Sequence, residues 1–310
     1  MTNSSTKLRS DGKRVLITGG TGLVGQRLSY MLSQKGHEVS HLSRNPTNGT
    51  YQSFYWNVKK GEIDKEAIKN ADVIIHLAGA GVADKRWTKE WKQEILDSRI
   101  DSTQLLFDAV KNHNSRLEYF LSASAIGYYG WDTGDKVINE EYEKGEGFLA
   151  DVVDDWEQKI GEFSELGISN SAVRIGIVLS EKGGALEKMA QPVKMFVGAP
   201  LGSGRQYMSW IHIDDLCSIF MHLMDNKLDG IYNGTAPKPE TNKEFTKKLA
   251  SACKRPLFLP NVPDFALKLL VGEMQVMLTG GNNVSSEKIE NSGFKFQFPS
   301  LDSALKDLIK

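Results

Sequence analysis

The chain has 310 residues, 40% hydrophobic and 25% charged, with a net charge of −1. This suits a globular protein with one large α/β unit or two smaller ones, and argues against a nucleic-acid or anionic-membrane surface. No apolar run reaches the ~18 residues of a membrane helix. Met1 to Asp11 is polar, unlike a signal peptide, and Cys217 and Cys253 fit neither a metal site nor a disulfide framework, so a cytoplasmic protein without metal is expected.

Residues 1–12 read as a tail before the first strand. Val15 to Thr18 is a short β-branched run that reads as a buried strand. It empties into Gly19, Gly22 and Gly25, followed by Leu28, Met31 and Leu32 at helical spacing. Strand, glycine turn and helix together predict a dinucleotide site. Gly19 permits the tight turn, Gly22 lets a pyrophosphate approach the backbone, and Gly25 lets helix and strand pack closely. The helix N-terminus offers free N–H groups to phosphates. The expected contacts are Gly19, Thr21, Gly22, Leu23, Val24 and Gly25; the bland alternative is a glycine-rich turn without a ligand.

Val39 to Ser43 reads as the second strand. An acid just past it would hydrogen-bond the ribose 2′-OH of NAD, but this chain has Ser43-Arg44. A hydroxyl and a guanidinium suit a 2′-phosphate, so the expected cofactor is NADP. The alternative for Arg44 is a solvated loop cation. Tyr51 to Trp56 reads as a third strand, and Asp72 to Gly81 as a buried strand ending in small residues. Leu77, Ala78 and Gly79 there allow backbone contact with the cofactor, and His76 reads as a core histidine. Trp87 to Val110 is mostly helical, with Glu94, Ser98 and Ser102 on one face and Arg99 beside it. This helix is expected beneath the cofactor, with Glu94 and Arg99 in contact. Leu117 to Leu121 reads as a fifth strand. It ends in the hydroxyl-rich patch Ser122 to Gly130, where Ser122 meets the cofactor and substrate chemistry is expected.

Asp132 to Gly147 reads as a polar surface loop and Ala150 to Leu166 as a helix with a Val152, Val153, Trp156, Ile160 stripe. Ser171 to Leu179 is a strand whose end, with Val178, is expected near the nicotinamide carboxamide. Gly183-Gly184, Ala199 to Gly204 and Gln206 form a glycine-rich region. Trp210 to Asp215 leads into a helix to Met224, with Asp214 and Asp215 read as capping groups, the alternative being catalytic carboxylates. Gly230 to Asn233 is a further strand, and Thr241 to Glu244 opens a helix in capping-box style. Phe265, Leu267, Leu269, Leu270, Met274 and Met277 predict a helix with a broad apolar face, read as buried packing or, alternatively, as a partner surface.

These pieces resemble the extended short-chain dehydrogenase/reductases, the group of nucleotide-sugar epimerases and dehydratases. The resemblance rests on Thr18 to Gly25, His76-Leu77-Ala78, Ser124 to Gly130 and Trp210 to Asp215. Within that group the chain is most similar to the atypical "epimerase family" of NADP-binding proteins, some labelled cell-division inhibitors. The telling segments are Ser98 to Thr103, Ser122 to Gly130, Phe148-Leu149-Ala150 with Trp156-Glu157, and Ser292 to Pro299. The resemblance implies a doubly wound parallel sheet of six or seven strands. The dinucleotide-binding domain spans 13–180 and is completed by 207–235; 181–206 and 236–310 form a substrate cap and C-terminal extension. It also carries an expectation of a homodimer.

Active members of the wider group use a Tyr-x-x-x-Lys pair to exchange a proton as hydride moves. Here only Tyr55 and Lys59 have that spacing, near the third strand. If Glu157 is the glutamate that follows the pair, Leu149 and Val153 hold its places. Ser124, Tyr128 (or Tyr129) and Arg99, which stands where epimerases usually have Asn, are the candidate substitutes. The alternatives are a structural hydroxyl for Ser124 and aromatic packing for the tyrosines. The leading expectation is an NADP-dependent oxidoreductase or epimerase-like enzyme acting on a small polar substrate. The alternative is a catalytically quiet NADP-binding regulator or redox sensor.

Overall fold

The computed structural model describes residues 12–47, 49–114 and 116–309; the tail expected at 1–12 lies almost wholly outside them. In chain order come β1 (Arg14–Thr18), α1 (Leu23–Gln34), β2 (Glu38–Ser43), β3 (Gln52–Asn57), β4 (Glu62–Ile63), α2 (Lys65–Lys69), β5 (Val73–His76) and α3 (Lys89–His113). Next are β6 (Tyr119–Ala125), β7 (Val137–Ile138), α4 (Phe148–Gly161), β8 (Ser169–Ile175), β9 (Ile177–Leu179) and α5 (Ala185–Lys194). Then follow β10 (Tyr207–Met208), β11 (Trp210–His212), α6 (Ile213–Asn226), β12 (Gly230–Gly234), β13 (Glu240–Thr241) and α7 (Asn242–Ala252). The last are α8 (Asp264–Val271), α9 (Val276–Thr279), β14 (Asn283–Val284), α10 (Glu287–Asn291) and α11 (Leu301–Leu308).

One sheet runs in the order β12-β8-β6-β5-β1-β2-β3-β4. All its pairings are parallel except the β3–β4 edge. Helices cover both faces of such a sheet, so its inner strands are apolar without alternation. Val15, Leu16 and Ile17 on β1 and Val73, Ile74 and Ile75 on β5 are buried accordingly. Strand order reverses between β1 and β5, and the crevice at the carboxyl ends of strands there is where such sheets bind ligands. A second apolar core joins Leu179, Met208 and Trp210 to α5, α7 and α11.

The expected Ser171–Leu179 strand is divided at Gly176, where pairing passes from β12 and β6 to β11; the glycine lies against the Ser209 carbonyl with no room for a Cβ. The expected helix over Phe265 to Met277 is also broken. Gly272 has φ +64° and ends α8. Leu267 is buried, but Phe265, Leu269, Leu270 and Met277 are exposed, so burial is corrected for these four. Neither Asp214 nor Asp215 caps α6: the His212 side chain accepts from Asp214 N. Asp214 instead takes a bidentate pair from Arg27 on α1.

Asp215 anchors the C-terminal segment. Its two carboxylate oxygens accept the Gln297 and Phe298 N–H groups at 2.8 and 2.9 Å. The segment before it threads into the fold. β14 pairs with β7 inside the expected surface loop. Ser209 Oγ donates to Asn282 O and accepts from Val284 N, while Thr133 N donates to Gly281 O. Asp215→Ala would leave two backbone donors without their charged acceptor. It is expected to cost about 2–4 kcal/mol and to open 292–300 to protease. An unchanged urea midpoint and digestion pattern would contradict this anchoring.

Candidate functional site

The glycine turn is built by close backbone approach. Gly19 has φ +68°, and a Cβ there would lie 2.9 Å from the Leu77 carbonyl carbon. A Cβ on Gly25 would strike the Gly19 carbonyl oxygen and lie 2.7 Å from Gly20 Cα. Thr21 and Gly22 are exposed, and a Cβ at 22 would meet only Gly19 O, at 3.2 Å. Gly22 is the N-cap of α1, with no side-chain cap and no acid in the first turn. The first-turn amides of Leu23, Val24 and Gly25 therefore keep the unsatisfied donors of a helix start. Gly184, in the glycine-rich loop, closes on Leu23.

At the end of β2, Ser43 Oγ donates to Asn45 O and accepts from Asn45 N. That small turn presents Arg44, which is exposed and, among the described residues, has no hydrogen-bond or ion-pair partner. Behind the crossing, Thr18 Oγ1 accepts from Leu77 N and Ala78 N, each at 3.1 Å, and lies 2.7 Å from His76 Nδ1. Ser102 Oγ donates to Ser98 O and meets His76 Nε2 at 3.1 Å. This accounting makes Thr18 the donor to Nδ1 and puts the His76 proton on Nε2. Burial, followed by the charge of Arg99, pulls the His76 pKa down to about 3. The residue is a core histidine.

α3 carries the expected face into two different settings. Ser98 Oγ accepts from Ala80 N, fixing the loop after β5. Glu94, one turn earlier, is bound to Lys59 at 2.7 Å. Arg99 donates from Nη1 to Ala80 O and Ile95 O, and its guanidinium carbon lies 5.1 Å from the Trp156 ring centre. Gly79 is exposed and sits over that guanidinium. Val178 lies on β9, paired in parallel with Ile211 of β11.

The end of β6 sorts the hydroxyl patch. Ser122 is fully buried and donates to the Ala123 carbonyl. Ser124 donates to Glu157 Oε1 at 2.5 Å, and Arg174 grips the same carboxylate through Nε and Nη2 at 2.8 and 2.7 Å. Burial alone would lower the Arg174 pKa, but the bonds and charge of Glu157 hold it above its ordinary value. The Arg174 guanidinium carbon lies 3.5 Å from the Tyr128 ring centre. Arg174 escaped the sequence reading; its signal is a charge inside the apolar run Ala172 to Ile175, where only a buried partner makes it tolerable. Tyr129 is buried and donates to Asn233 Oδ1, and burial pushes its pKa up to about 12. Of the tyrosine pair, only Tyr128 keeps a hydroxyl with no hydrogen-bond partner among the described residues. Leu149 and Val153 on α4 pack beside Gly127 at this strand end. Tyr55 and Lys59 lie at the far sheet edge, bonded to Glu62 and Glu94. Among the described residues no acidic, His or Cys cluster is placed to hold a metal, and no helix is long and apolar enough to cross a membrane.

The NAD dependent epimerase/dehydratase family matches residues 15–148, and a domain of unknown function matches 262–308. An epimerase family protein of Staphylococcus aureus strain N315 is 37% identical over 300 residues, covering 96% of this chain and 99% of that one. The chain belongs to the epimerase family. A Staphylococcus saprophyticus member is 38% identical over 300 residues, with the same coverage. The crystal structure of human epimerase family protein SDR39U1 (isoform 2) with NADPH superposes on this epimerase-family chain with a TM-score of 0.85. That pair is 31% identical, covering 96% of this chain and 99% of the human one.

The depressed His76 pKa sets an acid limit for this epimerase-family chain. The unfolded chain binds a proton near pH 6.5 that the folded state refuses until about pH 3. Stability is therefore fully present above pH 6.5 and falls as pH drops below it, by on the order of 5 kcal/mol. His41 and His212, both lowered by burial, act in the same direction. In urea melts across this window, His76→Gln is expected to have a shallower pH slope than wild type. Equal slopes would contradict the assignment.

Proposed function

We propose that the chain binds NADP(H) across the β1–α1 turn and carries out hydride chemistry on a small polar substrate at the ends of β5 and β6. The observation that carries this is the pairing of an uncapped, acid-free α1 N-terminus with an Arg44 at the end of β2 that has no partner among the described residues. The first-turn amides receive the diphosphate. Arg44 receives the 2′-phosphate on a turn shaped by Ser43. Gly19, Thr21, Gly22, Leu77, Ala78 and Gly79 let the cofactor lie against backbone. The human relative crystallised with NADPH supports the same choice of cofactor. The bound dinucleotide supplies hydride.

The proton is the distinctive part of the reading. Leu149 and Val153 offer no proton where a Tyr/Lys pair would stand. Ser124 already donates to Glu157, so its hydroxyl proton is committed. Tyr128, stacked on Arg174 and with no partner for its hydroxyl among the described residues, is the group left to hold or move a proton. The apolar filling of α4 also favours a second reading, a protein that binds NADP(H) without turnover and reports its occupancy to a partner. Exchange of label between 4-deuterated NADPH and a metabolite panel separates the two.

Titration by nicotinamide fluorescence tests the cofactor reading. Arg44→Ala is expected to weaken NADPH binding by about 10–100-fold, the worth of a charge-assisted phosphate contact, and to leave NADH within about twofold. Equal loss for both nucleotides, or none, would overturn the role of Arg44.

A further inference from the structure

Three arginines of the chain use the same guanidinium edge. Arg14 bonds Asp72, Arg27 bonds Asp214 and Arg174 bonds Glu157, each through Nε and Nη2 onto two carboxylate oxygens. Arg99 departs from this pattern. Its Nη1 is held by the Ala80 and Ile95 carbonyls, and its flat face lies near Trp156. Among the described residues nothing accepts from its Nε or Nη2, and neither nitrogen is sealed from solvent. Two acids within a turn or so of it on its own helix are engaged elsewhere, Glu94 with Lys59 and Asp97 with Gln93, and no ion pair joins Arg99 to Asp101. Behind it, both nitrogens of His76 are taken by Thr18 and Ser102.

Gly79 lies over the guanidinium on the side of Cζ and Nη1. A Cβ at that exposed position would stand 3.4 Å from the guanidinium carbon and 3.5 Å from Nη1. Without it the cation is reachable from the crevice beyond β5. Burial pulls the Arg99 pKa down to about 10, so the group is still charged at neutral pH. A desolvated charge without a counter-ion is costly, and an arriving anion removes that cost. Nε–H and Nη2–H point in parallel and match the two oxygens of a planar carboxylate.

We propose that Arg99 is a specificity residue that takes a carboxylate of the substrate through Nε and Nη2. The substrate class is then a small hydroxy or oxo acid rather than a neutral sugar. The inference rests on the reading of the β5–β6 end as the substrate site. The Trp156 ring, its centre 5.1 Å from the guanidinium carbon, sets hydrocarbon beside the cation that meets the carboxylate.

Oxamate, a small carboxylate that accepts no hydride, is the probe, with inorganic phosphate as the comparison anion. Each is titrated by saturation-transfer NMR into wild type, Arg99→Met and Arg99→Lys, with and without saturating NADPH. NADPH affinity and thermal midpoint are measured for all three. Oxamate is expected to bind wild type saturably. Arg99→Met should weaken it by about tenfold or more, and Arg99→Lys, which keeps the charge without the fork, should fall between. NADPH affinity should fall by less than oxamate affinity does in each variant. The proposal is overturned by no saturable oxamate binding, by equal oxamate affinity in Arg99→Met, or by phosphate binding in preference to oxamate. A matching loss of NADPH affinity in Arg99→Met also overturns it, by assigning the guanidinium to the cofactor's own diphosphate. If wild type takes no NADPH, the cofactor reading fails, while the cofactor-free oxamate arm still decides the role of Arg99.

Discussion

Everything at the ligand end depends on how closely three pieces of backbone cross. Gly19 rests on the Leu77–Ala78 peptide, and Gly25 rests on the Gly19 carbonyl. That crossing brings the start of α1, the end of β1 and the end of β5 into one place. It also leaves the Leu77 and Ala78 N–H groups at the limit of the sheet, where Thr18 Oγ1 satisfies both. Thr18 in turn fixes His76, and His76 fixes Ser102 on α3. A side chain at either glycine would force the strand ends apart and break this chain of bonds at its first link.

Charge is placed with equal economy. Arg27–Asp214 ties α1 to α6, and Arg174–Glu157 ties β8 to α4 while receiving Ser124. These pairs hold helices that carry the site. Arg44 at the end of β2 and Arg99 beside the loop after β5 have no carboxylate partner among the described residues. That division suits a ligand pair, with a phosphate-bearing cofactor at one end and an anionic substrate at the other.

The glycine turn, the inner strands and the core histidine were legible because local signals set them. Glycines at 19, 22 and 25 after a β-branched run have few other uses, and a continuous apolar strand belongs in a parallel sheet. The rest depends on contacts distant in sequence. Nothing near Ser124 announces Arg174, 50 residues on. The apolar pattern from Phe265 to Met277 looks like one buried face, yet the φ of Gly272 splits it and leaves Phe265, Leu269 and Leu270 outside. Asp214 and Asp215 resemble caps by position, whereas their partners, Arg27 and the Gln297–Phe298 backbone, come from opposite ends of the chain. β14 threads beside β7 through backbone bonds that carry no residue signature at all.

The central claim is that the bare N-terminus of α1 receives a nicotinamide dinucleotide. Amide hydrogen exchange with and without NADPH tests it most directly. The account predicts slowed exchange concentrated in Gly19–Gly25, in the turn after Ser43 and in Leu77–Ala80. Protection confined to other segments, or none at saturating NADPH, would contradict it.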